Sequence, residues 1–342
     1  MSETLGHRLR VSAVIDETPD ARSLILDVPE ELRDRFAYRP GQFLTLRVPA
    51  QGGPVGRCYS LSSAPEVDPA PKVTVKRVAG GVGSNWLCDQ VKAGDLVEVL
   101  PPAGVFTSPD LAADHLLIAG GSGITPVMSL LKAVLARPTG RVVLIYANRG
   151  EESVIFAGEL RELTERHPDR LLVIHLLESV QGLPSTAQLV QLVRPFATFP
   201  GAFICGPAPF MDAAERAALA CGLKVTIERF RSLEGDPFLA APVTVDEDEA
   251  AATLTVTLNG ERTSLPWPSQ TTLVDLLKSR GLDPPYSCRE GACSACSCKI
   301  VTGEVKLLRN DVLEEEDLAE GWALGCQAVP VTDTVEITYD MY

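Results

Sequence analysis

Three cysteines within nine residues, and a fourth far downstream, constrain this chain more than any other feature. Cys288, Cys293 and Cys296 are followed, after a gap of 29 residues, by Cys326. The spacing C-x4-C-x2-C…C is that by which four thiolates hold a [2Fe–2S] cluster. Iron takes soft, anionic, tetrahedral donors, and thiolates supply them. Gly291, Ala292, Ser294 and Ala295 between the ligands are small. Backbone amides can therefore approach the sulfides and offset the cluster's negative charge. A structural zinc site normally uses two C-x2-C pairs or Cys/His mixtures, whereas here one such pair stands with no His after it. A Rieske centre needs two His ligands. His7, His115, His167 and His175 all lie far upstream, so that centre is excluded. Cys298 reads as a non-ligand on the strand that follows.

The 342 residues suffice for two or three domains. No run of 18 apolar residues exists, so no membrane insertion is expected. Met1-Ser2-Glu3-Thr4 opens without an apolar leader. Nine cysteines in such a chain point to a reducing cytoplasm and to metal binding before disulfides. The net charge of −14 argues against nucleic acid. The acid is concentrated late: from Arg231 onward 20 Asp and Glu face 8 Lys and Arg. Two readings stay open, solubility alone or a steering surface for a basic redox partner.

Residues 5 to about 108 read as short strands with Gly/Pro turns, which favours an antiparallel barrel. Within them lies Arg57-Cys58-Tyr59-Ser60. Arg suits a pyrophosphate, Tyr packs on a flat ring, and Ser can hydrogen-bond a ring nitrogen. Gly83-Ser84-Asn85 before Trp86-Leu87 suggests a helix N-terminus, with a Ser-Asn cap, whose amides face an anion. Together these pieces describe a flavin nucleotide site.

From Asp110 strands and helices alternate, which argues a parallel sheet covered on both faces. Gly120-Gly121-Ser122-Gly123-Ile124-Thr125-Pro126 is a glycine-rich turn into a helix expected at Val127–Leu135. Asn148-Arg149 and Cys205-Gly206-Pro207 stand at further strand ends, where such sheets bind ligands. Arg149 either holds a ribose phosphate or pairs with Glu151 or Glu152. Cys205 is either a core cysteine or part of the site, and its place before Gly-Pro favours the site. Glu228 and Phe230 end the last strand of this region. We expect a barrel over 1–108, a nucleotide domain over 109–230, a linker over 231–252 and a cluster domain over 253–342. The linker is rich in Ala, Pro, Asp and Glu and lacks periodicity.

In this order the motifs resemble a ferredoxin–NADP⁺-reductase-type flavoprotein fused to a C-terminal plant-type ferredoxin. The carriers are Arg57–Ser60, Gly83–Asn85, Gly120–Pro126, Cys205–Pro207, Glu228-Arg229-Phe230 and the four cysteines. Tyr146-Ala147-Asn148-Arg149, Leu177-Glu178-Ser179 and Ser287-Cys288-Arg289-Glu290-Gly291 make the chain look like the reductase components of 3-ketosteroid 9α-hydroxylases. Phenylacetyl-CoA epoxidase reductases share the module order. The resemblance implies a multidomain protein: an antiparallel β-barrel carrying FAD, an α/β parallel-sheet nucleotide domain, and an α+β (β-grasp) ferredoxin domain. It implies a monomer that takes electrons from NADH, with NADPH as the rival, and delivers them to a terminal oxygenase. Tyr59 would lie against the isoalloxazine, with Ser60 near its reactive nitrogen, Val75 and Lys76 beside the flavin, and Phe230 covering it. Nicotinamide would enter beside Thr125 and Cys205, with Glu228 near the hydride path. Ser294 departs from the usual G-x-C-G-x-C pattern, with Ser and Ala between the ligands Cys293 and Cys296.

Overall fold

The computed structural model describes residues 6–233, 235–239 and 250–340, save the side chains of 250 and 251. His7–Phe230 forms one compact unit, and the residues from Arg231 onward fall in a second.

Alternating apolar and polar residues rich in β-branching build the first half of the larger unit. β1 (His7–Thr18), β2 (Ala21–Asp27), β3 (Phe43–Val48), β4 (Val55–Ser60), β5 (Lys72–Lys76) and β6 (Leu96–Val99) form one antiparallel sheet. Its order is β4-β3-β6-β1-β2-β5. The two outer strands meet where Leu61 bridges Val73, so the sheet closes on itself and hides its edges. Leu24, Leu44, Leu46 and Val73 are among the side chains that fill the interior. α1 (Val82–Asp89) adds Leu87 and Cys88 to the same core.

Continuous apolar runs then give three central strands buried on both faces, flanked by two partly exposed edge strands. β7 (His115–Gly120), β8 (Val142–Asn148), β9 (Leu171–Leu177), β10 (Gly201–Cys205) and β11 (Lys224–Glu228) are all parallel, in the order β11-β10-β7-β8-β9. α2 (Ile124–Leu135) and α3 (Ala157–Arg166) share one apolar layer with the sheet. α4 (Glu178–Gln181) is a short turn after β9, and α5 (Thr186–Val193) and α6 (Ala208–Ala220) form the opposite layer. The strand order reverses between β7 and β10, the place where such sheets take ligands. α2 begins three residues before the expected Val127. Thr125 and Pro126 sit in its first turn, where a missing N–H costs nothing. Phe106, just past the barrel, packs edge-on against Phe203 of β10 at 5.5 Å, joining the two halves.

Arg170 fastens the end of α2. Its guanidinium donates to the carbonyls of Val134, Leu135, Arg137, Thr139 and Gly140, at distances from 2.7 to 3.3 Å. These are orphan acceptors at a helix C-terminus, and a cation is favoured there. Arg170→Met is expected to cost about 2–4 kcal/mol, since several charge-assisted hydrogen bonds go at once. Thermal melting of the variant checks this.

In the second unit Asn259 and Gly260, at φ 55° and 77°, make the type I′ turn between β12 (Ala250–Leu258) and β13 (Glu261–Pro268). α7 (Leu273–Ser279) follows, then β14 (Ser297–Thr302), β15 (Val305–Leu307), α8 (Glu315–Ala319), β16 (Trp322–Leu324), β17 (Ala328–Pro330) and β18 (Thr334–Thr338). The sheet runs β13-β12-β18-β14-β16, with β12 and β18 parallel and the other pairs antiparallel. α7 buries Leu273, Leu276 and Leu277 in the core that holds Trp267 and Cys298. This is the β-grasp arrangement expected.

Of the expected linker, positions 234 and 240–249 lie outside the described residues, and Arg231, Ser232, Gly235 and Leu239 are exposed. Leu233 and Phe238 are buried, and the Gly235 N–H donates to Glu290 at 2.5 Å. Among the described residues no helix is long and apolar enough to cross a membrane.

Candidate functional site

The first site lies within His7–Phe230. Strand pleating puts Arg57 and Tyr59 on one face of β4 and Ser60 on the other. Arg57 and Tyr59 both stand against Gly83 in the first turn of α1. A Cβ at Gly83 would come 2.8 Å from Arg57 Cγ and 3.4 Å from the Tyr59 hydroxyl. Glycine there leaves a cradle between strand and helix. Tyr59 is half-buried, and burial pushes its phenol pKa up, so it stays neutral.

Ser84 and Asn85 are not the helix cap expected. α1 starts at Val82, with Gly81 as an extended cap that has no side chain to offer. Ser84 Oγ instead accepts from the Val78 N–H at 3.1 Å, and Asn85 Nδ2 donates to the Val78 carbonyl at 3.3 Å. These side chains hold the preceding loop. The first-turn backbone amides remain as the donors for an anion. The Val75 side chain belongs to the barrel core, so its backbone is the part left to face a ligand. Lys76 Nζ lies 3.6 Å from Asp20 and would be 3.8 Å from a Cβ at Gly121.

The glycine-rich turn and the end of β10 touch backbone to backbone. A Cβ on Gly123 would run into the Cys205 carbonyl and lie 2.6 Å from the Gly206 nitrogen. A Cβ on Gly120 would meet Pro207 Cδ at 2.8 Å. Thr125 is buried beside this contact and donates to the Ser122 carbonyl at 3.0 Å. Cys205 pairs in register with Glu228 on β11. Ser60, buried at the end of β4, donates to Glu228 Oε2 at 3.1 Å. The flavin-type motif and the nucleotide-type motif are thereby brought together across 168 residues of sequence. Burial pushes the Glu228 carboxyl up to about 8, opposed by the Ser60 hydrogen bond. Burial, with the neighbouring Glu228 charge, also pushes the Cys205 thiol up.

Asn148 ends β8 with its side-chain amide buried beside the Tyr146 hydroxyl and without a hydrogen-bond partner of good geometry. Such an orphan costs about 1–3 kcal/mol, so a bound nucleotide that completes it fits the site. Arg149 is exposed and, among the described residues, forms no ion pair with Glu151 or Glu152. The pairing left open in the sequence is not formed. Phe230 lies two residues beyond β11 and is about half exposed, at 48%.

The second site lies within the smaller unit. Cys288, Cys296 and Cys326 are buried and Cys293 half-buried. Backbone amides already point at sulfur. Glu290 and Ala292 N–H groups donate to Cys288 Sγ at 3.3 and 3.4 Å, Cys288 N–H to Cys293 Sγ at 3.4 Å, and Cys326 N–H to Cys296 Sγ at 3.4 Å. Hydrogen bonds from neighbouring Cys293 and Cys326, helped by those amides, hold the Cys288 thiol well below the usual thiol range. A soft anionic donor set with amides aimed at it fits an iron–sulfur cluster. Cys298 faces the other way. It joins the Trp267 core and donates to the Ala323 carbonyl at 3.6 Å.

The loop takes left-handed backbone at Arg289, Gly291 and Ser294, with φ of 59°, 70° and 57°. Ser294 thus stands, at some strain, where the usual pattern has glycine. Arg289 steadies the loop through an ion pair with Asp275 of α7, and its carbonyl accepts from Gln327 Nε2 at 2.8 Å. Neither partner was singled out in the sequence. Gln327 was signalled only by its place beside Cys326, and Asp275 by nothing.

Three family models match the chain in succession. They are an oxidoreductase FAD-binding domain over residues 8–107, an oxidoreductase NAD-binding domain over 117–216, and a 2Fe-2S iron-sulfur cluster binding domain over 256–331. The chain is 54% identical to the 3-ketosteroid-9-alpha-monooxygenase ferredoxin reductase component of Rhodococcus rhodochrous, over 97% of this chain and 96% of that one. It is 32% identical to a component of the 1,2-phenylacetyl-CoA epoxidase of Escherichia coli K12, over 98% of each. The solved structure of phthalate dioxygenase reductase shares the fold, with a TM-score of 0.58 and 23% identity, over 97% of this chain and 98% of that one. The chain is an FAD- and NAD-binding oxidoreductase with a [2Fe–2S] domain, and it belongs to the family of 3-ketosteroid-9-alpha-monooxygenase ferredoxin reductase components.

Proposed function

We propose that this chain passes electrons from NADH through FAD and a [2Fe–2S] cluster to the Rieske-type oxygenase of a 3-ketosteroid 9α-hydroxylase. The observation that carries the electron path is the Ser60–Glu228 hydrogen bond, which joins the flavin-binding strand to the end of the nucleotide sheet. Bound flavin supplies the conversion between a two-electron hydride and single electrons. The chain's own residues do the positioning. Arg57 and the first-turn amides of α1 hold the pyrophosphate, Tyr59 packs on the ring, and Ser60 hydrogen-bonds the ring edge. The Val75 backbone and Lys76 flank the flavin, and Phe230 covers it. Gly120, Gly121 and Gly123, with Thr125 and Pro126, admit the nucleotide's phosphates and nicotinamide. Asn148, Arg149 and the Cys205-Gly206-Pro207 turn complete that side. Cys288, Cys293, Cys296 and Cys326 ligate the cluster.

The steroid reading is favoured over the epoxidase reading by 54% against 32% identity. Nine cysteines without a disulfide suit a reducing cytoplasm, and we take the protein to act there as a monomer. Glu314, Glu315 and Glu316 are exposed at the start of α8, and they suit a basic face on the oxygenase.

Reconstitution tests this. NADH-driven turnover with a 3-ketosteroid oxygenase should exceed that with an epoxidase or ring-hydroxylating oxygenase, and it should weaken as salt rises. Preference for another oxygenase removes the steroid assignment. A higher kcat/KM for NADPH than for NADH reverses the donor.

A further inference from the structure

The two halves of His7–Phe230 are held together by a charge cluster outside the electron path. Lys132, in the third turn of α2, is 3% exposed, and its ammonium is bound by Asp68 at 2.8 Å and Glu159 at 3.0 Å. Asp68 lies on the loop between β4 and β5, and Glu159 on α3. Lys72, the first residue of β5, closes the cluster. It lies 3.2 Å from Glu159 and 5.0 Å from the centre of the Phe156 ring. Glu17, hydrogen-bonded by Ser23 at 2.5 Å, faces the same lysines. Two of the three ion pairs therefore run from the barrel to the nucleotide half. One turn before Lys132, Ser129 donates to the Ser63 carbonyl at 2.5 Å and accepts from the Gly41 N–H at 3.3 Å.

The geometry has a direction. α2 carries Thr125 in its first turn, then Ser129, then Lys132. The segment those two residues grip, Ser63 to Asp68, begins three residues after Ser60. A rise of about 10 Å along one rigid helix, from Thr125 to Lys132, thus connects the nicotinamide side of the site to a clamp on the flavin side. A buried ammonium holds its place only while its carboxylates do, so the clamp has one well-defined setting.

We propose that the Lys132–Asp68–Glu159–Lys72 cluster, with Ser129, is a positioning device that sets the distance between the nicotinamide and the flavin ring. The inference rests on the electron path proposed above. Near-attack geometry is steep: a misplacement of about 1 Å can cost about 100-fold in rate.

The test uses the holoenzyme with FAD and cluster loaded, and the variants Lys132→Met, Asp68→Asn and Ser129→Ala. Flavin reduction by NADH is followed by stopped flow, alongside the charge-transfer absorbance of the nucleotide–flavin pair. Lys132→Met is expected to slow reduction about 20-fold or more and Asp68→Asn about 5-fold, both with weakened charge-transfer absorbance. FAD content and reduction by dithionite should not change. A cluster that serves stability alone would lower the melting temperature and leave rate and absorbance at their wild-type values, which overturns the proposal. Should Lys132→Met not fold, Asp68→Asn and Ser129→Ala decide on the same readouts. A wild-type protein that NADH does not reduce would instead remove the electron path, a result distinct from either.

Discussion

Cys293→Ser is expected to strip the protein of its cluster while sparing the chemistry at the other end of the chain. Serine is a hard oxygen donor and a poor replacement for a thiolate on iron. Iron content should fall to background and the reduced-cluster EPR signal should vanish. Delivery to a protein acceptor should drop by about two orders of magnitude or more, because single-electron exit then has no carrier. NADH-dependent reduction of ferricyanide should persist, since it needs only the modules of His7–Phe230. Cys298→Ser is the control. Its thiol lies in the Trp267 core and bonds the Ala323 carbonyl, so iron and EPR signal should remain. Loss of iron in Cys298→Ser with retention in Cys293→Ser would invert the ligand assignment.

Ser60→Ala is expected to slow flavin reduction by about 10²-fold, the range typical of a positioned hydrogen-bonding or proton-holding group. The partner residue adds a pH signature. Burial raises the Glu228 carboxyl from 4.5 to about 8, so it is largely protonated at pH 7. As pH rises through about 8, a charge appears beside the nicotinamide path and the rate should fall. Glu228→Gln, neutral at every pH, should flatten that limb. The stability linkage has the same sign. The folded protein binds this proton more tightly than the unfolded chain, so Glu228 costs stability progressively as pH rises from 4.5 to above 8. Glu228→Gln should therefore melt higher than wild type at pH 9 and equally at pH 4. A rate limb above pH 8 that survives in Glu228→Gln would assign it to another group.

Local chemistry made much of this legible in the sequence. Cysteine spacing, the Asn259-Gly260 turn and the alternation of strand and helix depend on neighbours a few residues apart. Those features stand in the structure as the residues predict. The Ser60–Glu228 contact joins two motifs 168 residues apart, and nothing local named either residue as the other's partner. The departures are tertiary. Ser84 and Asn85 satisfy the Val78 loop instead of capping α1, because Gly81 already takes the extended cap position. Leu233 and Phe238 were hidden inside a stretch whose composition suggested free chain. Lys132 had no local signal at all, since its carboxylates come from positions 68 and 159.

The central claim is an order of electron transfer, and one experiment addresses it directly. The loaded protein is mixed anaerobically with NADH, and flavin absorbance and the cluster's EPR signal are followed together by rapid freezing. Flavin bleaching first, with the reduced-cluster signal growing in afterwards at the flavin's expense, is the result predicted. A cluster that stays oxidised while the flavin is fully reduced, or one that is reduced in protein freed of FAD, would contradict the account.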